Sequence, residues 1–104
     1  MRAWPLLLAL LAGGSAVAQV PGGAREAQLV RMVRQDCGSC HGMTLKGGLG
    51  PDLRATRLSG VPSKALAAII LDGIPGTPMP PWRGLLSEQD AIWIAEYLKA
   101  ETNR

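Results

Sequence analysis

The chain of 104 residues contains no phenylalanine, a single histidine and only two cysteines. Each shortage removes a class of function. With His41 alone, one chain cannot build a bis-histidine metal centre. With Cys37 and Cys40 the only thiols, a zinc site would lack a fourth Cys or His ligand. No βαβ pattern surrounds Cys37-Gly38-Ser39-Cys40, so a thioredoxin-type redox centre has no scaffold, and it would give His41 no task. A structural disulfide fits the residue types but leaves the adjacent histidine incidental. Charge is nearly balanced, with 11 basic and 8 acidic residues and a formal net charge of +3. The basic residues are scattered and show no interleaved aromatics, which argues against nucleic acid. Repeats, charge blocks and an internal domain boundary are also missing.

Long hydrophobic runs are absent too. The N-terminal run, Leu6 to Ala12, is bounded by Pro5 and Gly13-Gly14 and is too short to span a bilayer. Preceded by Arg2 and followed by Ala16-Val17-Ala18, it has the form of a cleavable export signal over residues 1–18. No cysteine near the cut offers a lipid-attachment point, so no stable membrane anchor is expected; the alternative is that the segment stays uncleaved as an N-terminal anchor. Residues 19–104 then form one small domain of 86 residues in the periplasm of a bacterium. Losing Arg2 leaves ten basic residues against eight acidic ones, a protein charge of +2. Trp4 leaves with the signal, and Trp82, Trp93 and Tyr97 are the remaining aromatics. A domain this small and this poor in aromatics is marginal on its own core.

Cys37-Gly38-Ser39-Cys40-His41 spells C-x-x-C-H, the spacing of a covalent haem c attachment site. Two thiols three positions apart on a helical turn project to one side, where each can form a thioether with a porphyrin vinyl group. The next residue is carried beneath the ring, and its imidazole becomes an iron ligand. A covalent haem would also supply the apolar bulk that the composition lacks.

Three helices are expected. Ala27, Leu29, Val30 and Val33 have helical spacing over about residues 24–36 and lead into Cys37. Leu66, Ile69 and Ile70 form a stripe over about 62–72, with Pro62 in the opening turn and Gly73 as the stop. Ser87 and Asp90 read as a capping box for a helix over about 87–100, where Ala91, Ile94, Ala95 and Leu98 share one face and Trp93 and Tyr97 a neighbouring one. Nothing reads as a strand pair.

A second iron ligand must come from the methionines, since there is no other histidine. Met32 lies five residues before Cys37 and Met43 two after His41, so both belong to the proximal side. Met79 lies 38 residues beyond His41, far enough for the chain to wrap the ring and return to its other face. Pro78, Pro80 and Pro81 restrict the backbone around it and lower the entropy cost of holding its thioether in place. A methionine in such a loop could otherwise serve only for packing; the C-x-x-C-H upstream favours ligation. Gly47-Gly48-Leu49-Gly50-Pro51-Asp52-Leu53 allows backbone to approach the porphyrin, and Pro51, with a carbonyl but no N–H, suits a hydrogen bond from the far nitrogen of His41. Arg54, Arg57, Arg83 and the Trp82 indole are within reach of haem propionates, although solvated surface is the default for the arginines.

The order of helix, C-x-x-C-H, G-P-x-L, middle helix, methionine loop and C-terminal helix resembles class I cytochromes c over essentially the whole mature chain. Three segments are most similar to the cytochrome c55X family associated with haem-d1 nitrite reductase: 36–43 around the motif, 47–51, and Pro75-Gly76-Thr77-Pro78-Met79-Pro80-Pro81-Trp82. The resemblance implies an all-α fold in which helices wrap one covalent haem and the first and last helices cross. It implies Cys37 and Cys40 as thioethers, His41 and Met79 as axial ligands and Pro51 as the acceptor for His41. The function implied is that of a monomeric electron-transfer protein, not an enzyme, passing single electrons from a quinol-oxidising donor to haem-d1 nitrite reductase in denitrification. The alternative is a maturation factor assisting haem d1 assembly or insertion. Ligand binding or peroxidase chemistry at an open distal face is a lesser alternative, against which Met79 argues.

Overall fold

The structure, a computed structural model, describes residues 2–3 and 20–100. Apart from Arg2 and Ala3, the leader expected over residues 1–18 lies outside the described residues, as does the end of the chain from residue 101. The described residues contain helices and no strands. Helix α1 covers Gly23–Met32, a π-helical turn covers Val33–Cys37, and α2 covers Gly38–His41. A short α3 of four residues, about one turn, follows at Ala55–Leu58, then α4 at Ser63–Asp72 and α5 at Glu88–Lys99.

The first helix does not stop at the motif, as its apolar spacing suggests, but runs through it. It does so by way of the π turn, in which the Gly38 amide reaches back five residues to the Val33 carbonyl. That turn inserts one residue and so rotates the motif by roughly 100° relative to α1. Only Leu29 and Val33 of the expected stripe are buried; Ala27 is exposed and Val30 half-buried. The other two helices begin and end within a residue of expectation, because their stops are local. Pro62 caps α4 at one end and Gly73 at the other. Helix α3 escapes sequence reading because one turn is too short for a periodicity, and it is held by burial of Ala55 and Leu58.

Helix α4 packs along α5, burying Leu66, Ala67, Ile70 and Leu71 against Ala91, Ile94, Ala95 and Leu98. Helix α1 is tied to α5 by polar contacts. Trp93 Nε1 donates to Glu26 Oε1 at 3.2 Å, and Arg34 Nη2 donates to the Tyr97 hydroxyl at 3.2 Å. Trp93 and Tyr97 stack with centroids 5.2 Å apart. The strongest tie is Asp90. Its carboxylate accepts from Arg25 Nη2 at 2.7 Å and from the Ser87 amide at 3.0 Å, while the Ser87 hydroxyl accepts from the Asp90 amide. This is the expected capping box with a guanidinium from α1 added to it.

The Arg25 hydrogen bond holds the Asp90 carboxyl below its ordinary pKa of 3.8, against the opposing effect of burial and with help from the Ser87 amide. A depressed folded-state pKa gives stability that is present above the ordinary aspartate range and is lost as pH falls through the folded value. Asp90→Ala should therefore cost about 1–2 kcal/mol at neutral pH, combining a lost cap with a partly screened ion pair. Denaturant titrations of both proteins should show the gap closing in acid. A gap that stays constant down to strong acid would contradict the assignment.

Candidate functional site

The C-x-x-C-H turn sets the geometry of the site because α2 is continuous with the π turn before it. Cys37 and Cys40 are free thiols, the first half-buried and the second exposed, so the disulfide alternative is not realised. Burial pushes the Cys37 thiol up to about 11, with the neighbouring Asp36 charge adding to the shift. Before haem is attached, this keeps it a protonated and weakly nucleophilic thiol.

His41 Nδ1 lies 2.8 Å from the Pro51 carbonyl oxygen. That oxygen can only accept, so Nδ1 carries the proton and Nε2 keeps the lone pair that a metal ligand needs. The loop between them is fixed by its own backbone. The Gly50 amide donates to the Cys40 carbonyl at 2.8 Å, and the Gly47 amide to the His41 carbonyl at 2.8 Å. Gly50 has no room for a side chain: a Cβ there would stand 2.6 Å from His41 ring atoms. The glycines of this loop were expected against the porphyrin. At Gly50 the close approach is instead to the imidazole.

Met79 is held by a loop that closes on itself. The Ile74 amide donates to the Met79 carbonyl at 3.2 Å, the Thr77 hydroxyl donates to the Ile74 carbonyl at 2.7 Å, and the Met79 amide donates to the Thr77 hydroxyl at 3.3 Å. Gly73, at φ +66°, lets this loop fold back onto α4, since a Cβ there would meet the Met79 carbonyl oxygen at 2.7 Å. The amide of Trp82 then donates to the Ile70 and Leu71 carbonyls, anchoring the far end.

Cys37, Cys40, His41, Pro51 and Met79 all line one cavity of about 550 Å³. That size falls within the range of cofactor sites, roughly 300–1,000 Å³. Its walls are chiefly aliphatic, from Leu53, Leu58, Leu66, Ile70 and Leu98. Ile69, from the apolar stripe expected on α4, is 38 % exposed and also lines the cavity. Among the described residues Met79 is the one methionine on this wall. Met32 packs against the core, and Met43 is 66 % exposed, with its sulfur beside Gly38.

The donor set fits a haem. Two thiols, a histidine with its proton on the far nitrogen and a thioether border an apolar space. Of the side chains considered for propionates, Arg54 is paired with Asp52 at 2.8 Å and Arg83 with Asp72 at 2.8 Å. Arg57 and the half-buried Trp82 line the cavity, so these two remain candidates to meet the propionates. Among the described residues no three of His, Cys, Asp and Glu gather to hold a bare metal ion.

Residues 24–98 match the family model described as cytochrome c oxidase, cbb3-type, subunit III. The chain is 57 % identical over 98 residues to cytochrome c55X of Paracoccus denitrificans, covering 93 % of this chain and 94 % of the relative. Among solved structures it is similar to the c-type cytochrome NirC, with a TM-score of 0.74, 53 % identity and coverage of 76 % of this chain and 93 % of that one. It is also similar to a segment of dihydro-haem d1 dehydrogenase NirN in complex with DHE, with a TM-score of 0.64 and 34 % identity. That match covers 71 % of this chain but only 16 % of the dehydrogenase.

The crowding at Gly50 gives a direct test of the site. Gly50→Ala should lower stability by about 1–3 kcal/mol, as overpacking does, because either the imidazole or the loop must move. Gly60→Ala, whose new Cβ would have nothing within 4 Å, should stay within about 0.5 kcal/mol of the parent. Denaturant titration of the two variants checks this, and equal costs would contradict the close packing at His41.

Proposed function

The chain belongs to the cytochrome c55X family of c-type cytochromes, and from that membership we propose that it is a periplasmic one-electron carrier whose acceptor is a haem-d1 nitrite reductase. It carries covalently bound haem c with iron and is an electron-transfer protein of denitrification rather than an enzyme. Among the described residues no helix is long and apolar enough to cross a membrane. Export by the 1–18 leader, with residues 19–104 as the mature domain, agrees with the need to keep both cysteines reduced until haem is attached.

Cys37 and Cys40 hold the haem as thioethers, and His41 and Met79 are its axial ligands. The observation that supports this assignment is that all four line the same cavity, with the His41 proton held away from it by Pro51. When bound, the haem iron supplies a change of one unit in oxidation state. Pro51 orients the imidazole and raises its donor strength. The closed Ile74–Met79 loop keeps the thioether in position, and the aliphatic wall excludes water. A coordination shell closed by two protein ligands suits transfer rather than substrate chemistry.

The similarity to a segment of NirN favours a second reading. A domain of this fold is built into a dehydrogenase of dihydro-haem d1. In that reading the chain serves haem d1 maturation, as electron acceptor or binding partner.

Replacing Met79 by Ala should abolish the weak near-infrared sulfur-to-iron(III) band and lower the reduction potential, because thioether sulfur favours the ferrous state. Met43→Ala should leave both nearly unchanged. Loss of the band in Met43→Ala alone would overturn the ligand assignment.

Stopped-flow mixing of reduced cytochrome with oxidised haem-d1 nitrite reductase separates the two functions. The carrier reading requires oxidation fast enough to support turnover, with a rate only modestly dependent on salt because the protein charge is small. Oxidation too slow for turnover, together with a reductase lacking haem d1 in a deletion strain, would reject the carrier in favour of the maturation factor.

A further inference from the structure

Leu45 is the one non-glycine residue among those described with a positive φ, at +60°. A leucine in that conformation is an outlier that persists only where its surroundings over-determine it. Its side chain is 1 % exposed and belongs to the hydrophobic core. Its backbone joins both ends of the segment that follows the haem motif. The Leu45 amide donates to the Gly42 carbonyl at 2.8 Å, and its carbonyl accepts from the Leu53 amide at 2.9 Å. Leu53 lines the cavity, and Pro51, two residues earlier, carries the oxygen that faces His41 Nδ1.

We propose that Leu45 is a positioning residue for the iron ligand: its buried side chain holds a strained backbone that ties Gly42 to Leu53, and this sets the Pro51 carbonyl at hydrogen-bond distance from His41. A glycine would adopt the same φ without strain, so conformation alone gives no reason for leucine here. What glycine lacks is the anchor in the core. Without it the amides of Gly47 and Gly50 still bind the loop to the motif, but the backbone link from Gly42 through residue 45 to Leu53 loses its anchor. A longer or intermittent His41–Pro51 bond makes the imidazole a weaker donor, which disfavours the ferric state and raises the reduction potential.

The inference rests on His41 as proximal ligand and Pro51 as its acceptor, and the test keeps the two separable. The holoprotein is reduced and the His41 Nδ1 proton followed by NMR, where a proximal imidazole next to the porphyrin is recognised by its strong ring-current shift. Absence of such a resonance in the parent protein would reject the ligand reading itself. With the resonance present, Leu45→Gly should exchange that proton at least tenfold faster and raise the potential, while Leu45→Met, which keeps an apolar anchor, should restore both. Leu29→Ala, at a fully buried position away from the cavity wall, is the control: it should lower stability and leave both readouts unmoved. Parent-like exchange and potential in Leu45→Gly would overturn the proposal. Leu45→Ala makes the same comparison if the glycine variant does not accumulate. Failure of both to accumulate as haem protein, with Leu29→Ala accumulating, would mark Leu45 as a general folding determinant and reject the positioning role.

Discussion

The architecture depends on an interior that the chain does not fill with its own side chains. Helices α4 and α5 pack directly on each other, yet Leu66, Ile70, Ile94 and Leu98 also border the cavity. These residues therefore have two neighbours to satisfy, the opposite helix and whatever occupies the space. A domain without phenylalanine has few side chains large enough to close such a gap, and an unfilled cavity forfeits dispersion contacts along its whole lining. In the proposed assignment, covalent haem held by Cys37 and Cys40 answers this constraint twice: it fills the space, and its attachment to the helix that precedes the cavity fixes where that bulk sits. Cofactor and core are in this sense one structural element.

The π turn is what joins the two sides of this arrangement. Helix α1 and the start of the π turn must lay Leu29 and Val33 into the core and bring Arg25, Glu26 and Arg34 to α5, while the residues just beyond must turn two cysteines and a histidine toward the cavity. One uninterrupted α-helix links those two facings rigidly through its 3.6-residue period. A five-residue reach from Gly38 to Val33 changes the phase between them without breaking the backbone hydrogen bonding. Gly38 is buried at that point, with the Met43 sulfur 3.5 Å from where a Cβ would stand. This contact also explains why Met43, though near His41 in sequence, sits on the outside.

What could be read in the sequence was whatever is encoded locally. C-x-x-C-H, the capping box of Ser87 and Asp90, the Pro62 and Gly73 bounds of α4 and the Pro-rich frame of Met79 are each specified by a few adjacent residues, and each sits where its residue types indicate. The pairing of His41 with Pro51 was legible for the same reason, since the chemistry of a carbonyl without an N–H leaves one role. The π turn was not, because Val33 to Cys37 carries no signal that separates a 4.4-residue turn from a 3.6-residue one within so short a stretch. More simply, one inserted residue is invisible to a periodicity that ends at the motif. The Arg25–Asp90 contact spans 65 positions and joins two helices whose apposition depends on the whole fold. Leu45 was equally hidden: nothing in the letters Met43-Thr44-Leu45-Lys46 marks a left-handed backbone, and only burial of the side chain makes it tolerable.

The charges show how a fold can serve contact rather than attraction at a distance. Arg25 pairs with Asp90, Arg54 with Asp52, and Arg83 with Asp72 and Glu88, so a large share of the acidic side chains are met by guanidinium groups within the molecule. Those pairs do their work locally: one joins α1 to α5, one braces the loop after Pro51, and one ties the end of α4 to the segment after Trp82. Each also neutralises a charge that could otherwise have steered a partner, and the net charge of the chain, +3, is correspondingly small. The rim of the cavity is then distinguished by exposed apolar groups, Leu49 at 93 % and Ile74 at 44 %, rather than by a field. For the proposed carrier, encounter at such a rim is limited by fit and desolvation, and the shape of the rim is set by the same two loops that hold His41 and Met79.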